Sequence, residues 1–292
     1  MAHDHATLKG HALADRILSE VRSEIAALKS HGIAPKLASI SVGDVEAVEV
    51  YIRNQRRTAE KCGLGFEEFK FPAEMTREAL AVQIAALNAD PDVAGIIIQR
   101  PVPSHIDVRE VQEWVHPLKD VEGMHPTSIG NIVYNETNIA PCTAVASVEL
   151  LKSTGVNLKG LEVVVIGHST IVGKPIAFML MSEGATVTVC HHMTRSVSMH
   201  SRRADAIFVA TGVPALITGD MVKPGATVID IGINAVNGPD GKTRIVGDVD
   251  FASVAEVAGW VTPVPGGVGP VTVAILMRNT LAALKRQIAA RH

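Results

Sequence analysis

Aromatic residues are scarce in this 292-residue sequence, at 3% of the chain. Proteins that bind single-stranded nucleic acid stack its bases on aromatic side chains. The net charge is -3 at pH 7, and lysine and arginine are dispersed instead of forming a basic stripe that could follow a phosphate backbone. We therefore expect no nucleic acid among the partners of this protein.

Long apolar runs are also missing. No segment approaches the ~20 consecutive apolar residues that a membrane-spanning helix needs. The opening MAHDHATLKG lacks the apolar core of a secretory signal. From these two absences we expect a cytoplasmic protein with no membrane partner.

Cysteines are few, and Cys62, Cys142 and Cys190 form no C-x-x-C pair. An odd number of scattered cysteines is typical of reduced thiols, and it argues against disulfides and zinc sites. His3 and His5 near the N-terminus are typical of a polar tail. The sequence therefore predicts no metal site.

Hydrophobic residues, in contrast, make up 47% of the chain, enough for two hydrophobic cores and therefore two domains. Residues 1–140 alternate helical and strand patterns. The spacing of apolar residues predicts helices over 11–32, 48–63 and 76–90, and strands over 36–43, 65–71 and 93–103. This alternation predicts an α/β domain with a parallel sheet covered on both faces.

Residues 108–141 are rich in turn formers, and we interpret them as the inter-domain region. A second series follows over 141–270, beginning with a helix at 144–155. Short β-branched strands are predicted at 161–167, 185–190, 204–212, 225–232 and 259–264. An amphipathic helix over 271–292 is expected to pack back on the first domain, so we divide the chain into 1–140 with 271–292, and 141–270.

The segment VVVIGHSTIVGKP has Gly167 directly after a buried strand, Gly173 six residues later and Pro175 in the first turn of the next helix. A glycine there lets a diphosphate approach the backbone N–H groups at the helix start. The spacing differs from G-x-G-x-x-G and by itself also fits an ordinary strand-to-helix turn. The strand, loop, helix and strand order favours dinucleotide binding.

The following strand ends in CHHMTRS, without the acidic residue that often holds the ribose hydroxyls of NAD. Cationic and polar side chains there can receive a 2′-phosphate, although the segment also fits an exposed polar turn. We therefore favour NADP as cofactor, with NAD possible. The candidate side chains are His168, Lys174, His191, His192, Thr194 and Arg195.

The segment TPVPGGVGPVT, at 262–272, combines glycines and prolines in a loop that enters the last helix. Together with IIIQRPVP, KDVEGMHP, GHSTIVGKP and VIDIGIN, in that order along the chain, it resembles the methylenetetrahydrofolate dehydrogenase/cyclohydrolase family. The resemblance runs from LKGHALADRI through the last helix.

The resemblance implies a homodimer whose protomer holds folate in a cleft between an N-terminal α/β domain and a Rossmann-like NAD(P)-binding domain. It also implies oxidation of 5,10-methylenetetrahydrofolate by NADP, followed in bifunctional members by hydrolysis of the methenyl product to 10-formyltetrahydrofolate. The catalytic positions that it implies are Tyr51, Gln55, Gln99 and Glu122. The further substrate-binding positions are Ile98, Arg100, Pro265, Gly266, Gly267, Val268 and Gly269. The implied cofactor contacts are Gly167, His168, Ser169, Gly173, His191, His192, Arg195, Thr211, Gly212 and Ile233.

Four positions depart from the family pattern, all on the folate side. Gln55 stands where the family's Y-x-x-x-K motif has lysine, and Val48 stands where serine is usual. The Q-L-P motif contains Arg100, and the D-V-D-G motif contains Glu122.

Gln55 shares a helix face with Tyr51. Hydride transfer requires the two reacting rings to be positioned and needs no protein base, whereas hydration requires a group that moves a proton. An amide carries no titrating proton, so we expect dehydrogenation to persist and cyclohydrolysis to be weak.

Three alternatives remain open. Glu122 or Arg56 could supply the proton relay, which would preserve both activities. The substrate could be a modified pterin, or the protein could bind ligands without turnover.

Overall fold

The computed structural model describes residues 6–43, 46–237 and 241–290. His3, His5 and the last two residues of the expected terminal helix lie outside this part of the chain. The elements in chain order are β1 (Ala6–Thr7), α1 (His11–Ser30), β2 (Lys36–Val42), α2 (Glu46–Cys62), β3 (Gly65–Phe71), α3 (Arg77–Ala89), β4 (Val93–Ile98), α4 (Val108–Trp114), α5 (Pro126–Val133), α6 (Cys142–Ser153), β5 (Glu162–Ile166), α7 (Gly173–Ser182), β6 (Thr186–Cys190), α8 (Val197–Ser201), β7 (Ala206–Val209), β8 (Thr227–Asp230), β9 (Asn234–Asn237), β10 (Thr243–Val246), α9 (Phe251–Ala255), β11 (Trp260–Val261) and α10 (Val268–Ala289).

The chain forms two compact units, each with its own parallel sheet. The three-stranded unit contains Asp15–Cys142 and Val273–His292, and the six-stranded unit contains Met1–Ala14 and Thr143–Thr272. The predicted two-domain α/β fold with parallel sheets is confirmed.

In the three-stranded unit β2 lies between β3 and β4, and both pairings are parallel. All six residues of β4 are buried, as its uninterrupted apolar sequence predicts. Ile40 of β2 and Ile96 of β4 pack in one core with Leu80 and Ile84 of α3. The Thr76 hydroxyl accepts a hydrogen bond from the Ala79 N–H and so caps α3.

Two short helices, α4 and α5, lie in the region that we interpreted as an inter-domain connection of turns. The Asp107 carboxylate accepts from the Arg109 N–H at the start of α4, and Pro126 occupies the first turn of α5. The same residue types that form turns also occur at the start of helices. Because residues 108–141 are rich in them, the sequence did not indicate either helix.

The six-stranded sheet has the order β1-β11-β8-β7-β5-β6, with every pairing parallel. Its core includes Val164 and Ile166 of β5, Ile207 of β7 and Val228 of β8. These strands and β11 were expected from β-branched runs. The antiparallel hairpin of β9 and β10 and the two-residue β1 were not expected.

Helix α10 begins at Val268, three residues before the expected start, and ends at Ala289. Within the three-stranded unit, the buried Asn279 amide donates to the carbonyls of Val121 and Ala140, and the Gln287 amide donates to those of Ala94 and Leu118. None of the helices in the described residues is long and apolar enough to cross a membrane.

Candidate active site

Gln55 and Gln99 are hydrogen-bonded to each other in the three-stranded unit. Gln55 lies one turn after the half-exposed Tyr51 on α2, and Gln99 directly follows β4 and is buried. The Gln99 Nε2 donates to Gln55 Oε1 at 2.7 Å and to Ser39 Oγ at 3.0 Å. Ser39 was not expected in the site. A serine inside the apolar strand β2, where it is buried, could have indicated a polar partner for a site residue.

Arg56, considered above as a proton relay, is engaged elsewhere. It forms an ion pair with Glu68, and its guanidinium carbon lies 5.9 Å from the ring centre of Phe66. A guanidinium also keeps its proton at any pH that proteins tolerate. Arg56 therefore makes a poor substitute for lysine at position 55.

Glu122 is a partly enclosed acid next to the end of β4. Its Oε2 accepts a hydrogen bond from the Ile98 N–H at 3.0 Å. Burial raises the pKa of the Glu122 carboxyl to about 7, against the opposing effects of the Arg100 charge and the Ile98 hydrogen bond. A carboxyl group that titrates near neutral pH can both take up and release a proton.

A cavity in the same unit is bounded by one of the expected site residues, Gln99. Gln99 and Pro101 line it, together with Val48 and Ile52 of α2 and Lys70 of β3. Val48 is one of the four departures from the family pattern, and it presents an apolar side chain to this cavity. This cavity is small, about 40 Å³, and its lining combines an apolar wall with a few polar groups.

The glycine loop lies in the six-stranded unit, between β5 and α7. Gly167 has φ = 113°, and a Cβ there would lie 2.2 Å from the Ala210 carbonyl oxygen. A Cβ on Gly173 would lie 1.9 Å from the Gly167 carbonyl oxygen. Ser169 Oγ accepts from the Val172 N–H at the start of α7. The loop thus requires glycine at both positions and presents bare backbone, which fits a diphosphate.

Three histidines meet at the carboxyl ends of β5 and β6. The ring nitrogens of His168, His191 and His192 lie within 4.8 Å of one another. His191 Nδ1 accepts from the Met193 N–H at 3.2 Å, so its hydrogen resides on Nε2, which becomes a donor. Lys174 and Arg195 are exposed nearby in the sequence. Donors of this kind suit an anionic group such as a phosphate.

Two buried acids that we did not expect hold the loops after β7 and β8. Asp248 Oδ2 accepts from the N–H groups of Thr211 and Gly212 at 2.5 and 2.9 Å, and Asp248 Oδ1 accepts from Asn234 Nδ2 at 2.8 Å. Asp230 accepts from the N–H groups of Gly232, Asp248 and Val249, each at 3.0 Å. These bonds fix the backbone around Thr211, Gly212 and the exposed Ile233.

The loop expected to contact folate is also in the six-stranded unit. Pro265 and Gly266 precede α10, whereas Val268 and Gly269 belong to its first turn. The Gly266 carbonyl accepts from the Gly10 N–H at 2.9 Å, and the Gly267 N–H donates to the Pro263 carbonyl at 2.8 Å. Backbone bonds therefore define the shape of this loop.

Family models and known proteins match most of the chain. Residues 8–122 match the family model for the tetrahydrofolate dehydrogenase/cyclohydrolase catalytic domain, and residues 141–288 match that for its NAD(P)-binding domain. A curated protein of Mesorhizobium japonicum named "Bifunctional protein FolD 2" is 68% identical over 284 residues, which cover 97% of this chain and 93% of that protein.

Two solved structures superpose on nearly the whole chain. The bifunctional FolD methylenetetrahydrofolate dehydrogenase/cyclohydrolase of Campylobacter jejuni has a TM-score of 0.92 and 41% identity, covering 96% of this chain and 99% of that one. The FolD enzyme of Trypanosoma brucei, solved with NADP cofactor and inhibitor, has a TM-score of 0.92 and 38% identity, covering 97% and 98% of the two chains.

Proposed function

The chain belongs to the tetrahydrofolate dehydrogenase/cyclohydrolase family, and on that premise we propose that it oxidises 5,10-methylenetetrahydrofolate to 5,10-methenyltetrahydrofolate with NADP but hydrolyses the product weakly or not at all. The observation that carries this proposal is the amide at position 55. Its Oε1 accepts a hydrogen bond from Gln99 at 2.7 Å.

Dehydrogenation depends on positioning. The bound nicotinamide accepts the hydride, so the chain's own residues need only bind and orient the substrate. Tyr51 offers an aromatic ring for contact with the pterin, and Gln55 and Gln99 hold each other through one hydrogen bond. None of these roles requires a titrating group, so replacing lysine with glutamine leaves this step intact.

Hydrolysis of the methenyl product depends on proton transfer, because the attacking water must lose a proton and a ring nitrogen must gain one. A positioned acid or base typically contributes about 10²–10⁴-fold to such a step. The Gln55 amide can orient water, but it cannot accept that proton. The hydrolytic step is therefore the one that this substitution weakens.

The preference for NADP rests on the histidine cluster. His168, His191 and His192 gather where the adenosine ribose of a dinucleotide is expected, and no acidic residue follows β6. The Trypanosoma brucei relative was solved with NADP, which supports the same cofactor for this chain. We further propose that residues 141–270 form the cofactor-binding domain and that residues 1–140 with 271–292 form the folate-binding domain, except that residues 6–14 lie in the six-stranded unit with the cofactor-binding domain. We also propose that the protein is a cytoplasmic homodimer.

The test follows purified protein with 5,10-methylenetetrahydrofolate and NADP. We expect methenyl product to accumulate and to disappear only at the spontaneous rate. Gln55→Lys should raise hydrolysis, whereas the same change at the exposed Gln83 on α3 serves as the matched control and should not. Rapid enzymatic formation of 10-formyltetrahydrofolate by the unaltered protein would reject the proposal.

A full dehydrogenase/cyclohydrolase is the second candidate, because the pKa of Glu122 lies at about 7 and the Mesorhizobium japonicum relative is named bifunctional. In this case Glu122 exchanges the proton in place of lysine. Glu122→Gln should then abolish hydrolysis while Glu113→Gln, an exposed change on α4, leaves it unaffected. Unchanged hydrolysis in Glu122→Gln would exclude this route.

A further inference from the structure

Arg100 carries a buried guanidinium nitrogen without a partner. Its Nη2 is enclosed by protein atoms and has no hydrogen-bond partner among the described residues. A guanidinium remains charged and offers five N–H donors, so a buried nitrogen without an acceptor is costly. Native proteins rarely keep such a group unless a ligand or water satisfies it.

The surroundings of Arg100 show where an acceptor could come from. The residues on either side of it in the chain, Gln99 and Pro101, both line the cavity described above. Asp120 does not serve as its partner, because the Asp120 carboxylate already accepts from the Met124 N–H, the His125 N–H and the Ser128 hydroxyl. Arg100 thus lies in the chain between two residues of the cavity lining, and its unused donor is enclosed by protein atoms.

Glu122 supplies the complementary group. The Glu122 Oε2 accepts from the N–H of Ile98, two residues before Arg100 in the chain, and no ion pair joins Glu122 to Arg100 in the described residues. The Arg100 charge lowers the pKa of the Glu122 carboxyl, against the larger effect of burial. The Arg100 guanidinium is a donor and the neighbouring Glu122 carboxylate is an acceptor. Together they are complementary to a ring edge that carries an oxygen acceptor next to an N–H donor. A lactam edge, –NH–C(=O)–, has this pattern, and the pterin ring of folate contains one.

We propose that Arg100 is a specificity-determining residue whose Nη2 donates a hydrogen bond to the lactam oxygen of the bound substrate, beside Glu122. The inference rests on the proposed function, since it assumes a folate substrate. It also explains two departures from the family pattern together, because arginine at position 100 and glutamate at position 122 provide the two halves of one recognition element.

The test compares two ligands that differ at the atom in question. A 4-oxo folate analogue carries the lactam oxygen, whereas the corresponding 4-amino analogue carries a donor in its place. The unaltered protein should bind the 4-oxo compound at least tenfold more tightly in isothermal titration calorimetry. Arg100→Leu should lose most of this preference, because it removes the guanidinium that can donate a hydrogen bond to an oxygen but not to an amino group.

Thermal stability separates recognition from folding. Arg100→Leu should unfold at the same temperature as the unaltered protein or higher, since it removes a buried donor that the free protein leaves unsatisfied. Arg100→Lys keeps the cation and should retain part of the preference. Arg109→Leu, an exposed change on α4, is the matched control and should alter neither property.

The outcomes separate this inference from the proposed function. If the unaltered protein oxidises methylenetetrahydrofolate but Arg100→Leu keeps its full preference for the 4-oxo compound, only the role of Arg100 is rejected. If the unaltered protein binds neither compound and turns over no folate, the proposed function fails and this inference fails with it.

Discussion

At the scale of single residues, Asp230 links stability to pH. Burial raises its pKa to about 6, above the ordinary value of 3.8. The folded state therefore binds this proton more tightly than the unfolded state. The resulting stabilisation is fully present below about pH 4 and is lost as pH rises through about 6.

We expect the free energy of unfolding to fall between pH 4 and 6 more steeply in the unaltered protein than in Asp230→Asn, which cannot titrate. Chemical denaturation at closely spaced pH values measures both slopes. Equal slopes in the two proteins would show that Asp230 is ionised over the whole range and that the assignment of its raised pKa is wrong.

Asp248 acts on the cofactor site through the backbone that it holds. Asp248→Asn leaves one acceptor oxygen where the carboxylate has two, so its amide nitrogen must face either the N–H groups of Thr211 and Gly212 or the Asn234 amide, and the loops that these bonds hold must adjust. We expect kcat/KM for NADP to fall about 10–100-fold, since small misplacements of binding groups are costly. Steady-state kinetics measures the loss, and Asp220→Asn, at an exposed aspartate, is the control. A change in stability with unaltered kinetics would give Asp248 a structural role only.

At the scale of elements, α10 is joined to the three-stranded unit by buried amides. Asn279→Ala leaves the carbonyls of Val121 and Ala140 without this donor, and we expect a loss of about 1–3 kcal/mol in the free energy of unfolding. Lys285→Ala, also on α10, removes an exposed ion pair with Glu24 of α1 and should cost less than about 1 kcal/mol. Denaturant titration of both variants checks the difference, and similar losses would contradict it.

Elements differ in how well their sequences predict them. Apart from β1, the strands of both parallel sheets were predictable, because runs such as VVVI at 163–166 are too apolar for an exposed structure. Helices α4 and α5 were missed because they are short and start at Asp107 and Pro126, residue types that equally well begin turns. The hairpin of β9 and β10 contains exposed, polar residues, so its sequence shows no clear alternation.

Site residues that belong to a local sequence motif were predictable. Site residues whose role depends on contacts between distant parts of the chain were not. Gly167 and Gly173 were identified from spacing, and the close carbonyls explain why glycine is needed there. The pairing of Gln55 with Gln99 depends on how α2 lies against β4. The roles of Asp230 and Asp248 depend on loops far apart in the sequence, and no local pattern signals such bonds.

For the whole molecule, cofactor binding should appear as added stability. Any ligand that binds only the folded state raises the free energy of unfolding, by about 2.7 kcal/mol at 100 times its Kd. We expect NADP to raise Tm more than NAD does at equal concentration. His168→Ser combined with His192→Ser should remove this difference, while His31→Ser, an exposed change in the turn after α1, should preserve it. Equal shifts with both cofactors in the unaltered protein would place the 2′-phosphate away from the histidines.

The pairing of β1 with β11 has a consequence for biosynthesis. Ala6 and Thr7 are translated long before their partners Trp260 and Val261. The sheet of β2, β3 and β4 needs only residues up to Ile98, so it can form early, while the leading strand waits without a neighbour for most of translation. A bulky tag fused next to β1 would therefore interfere with the late pairing of β1 with β11 and not with the early formation of the three-stranded sheet.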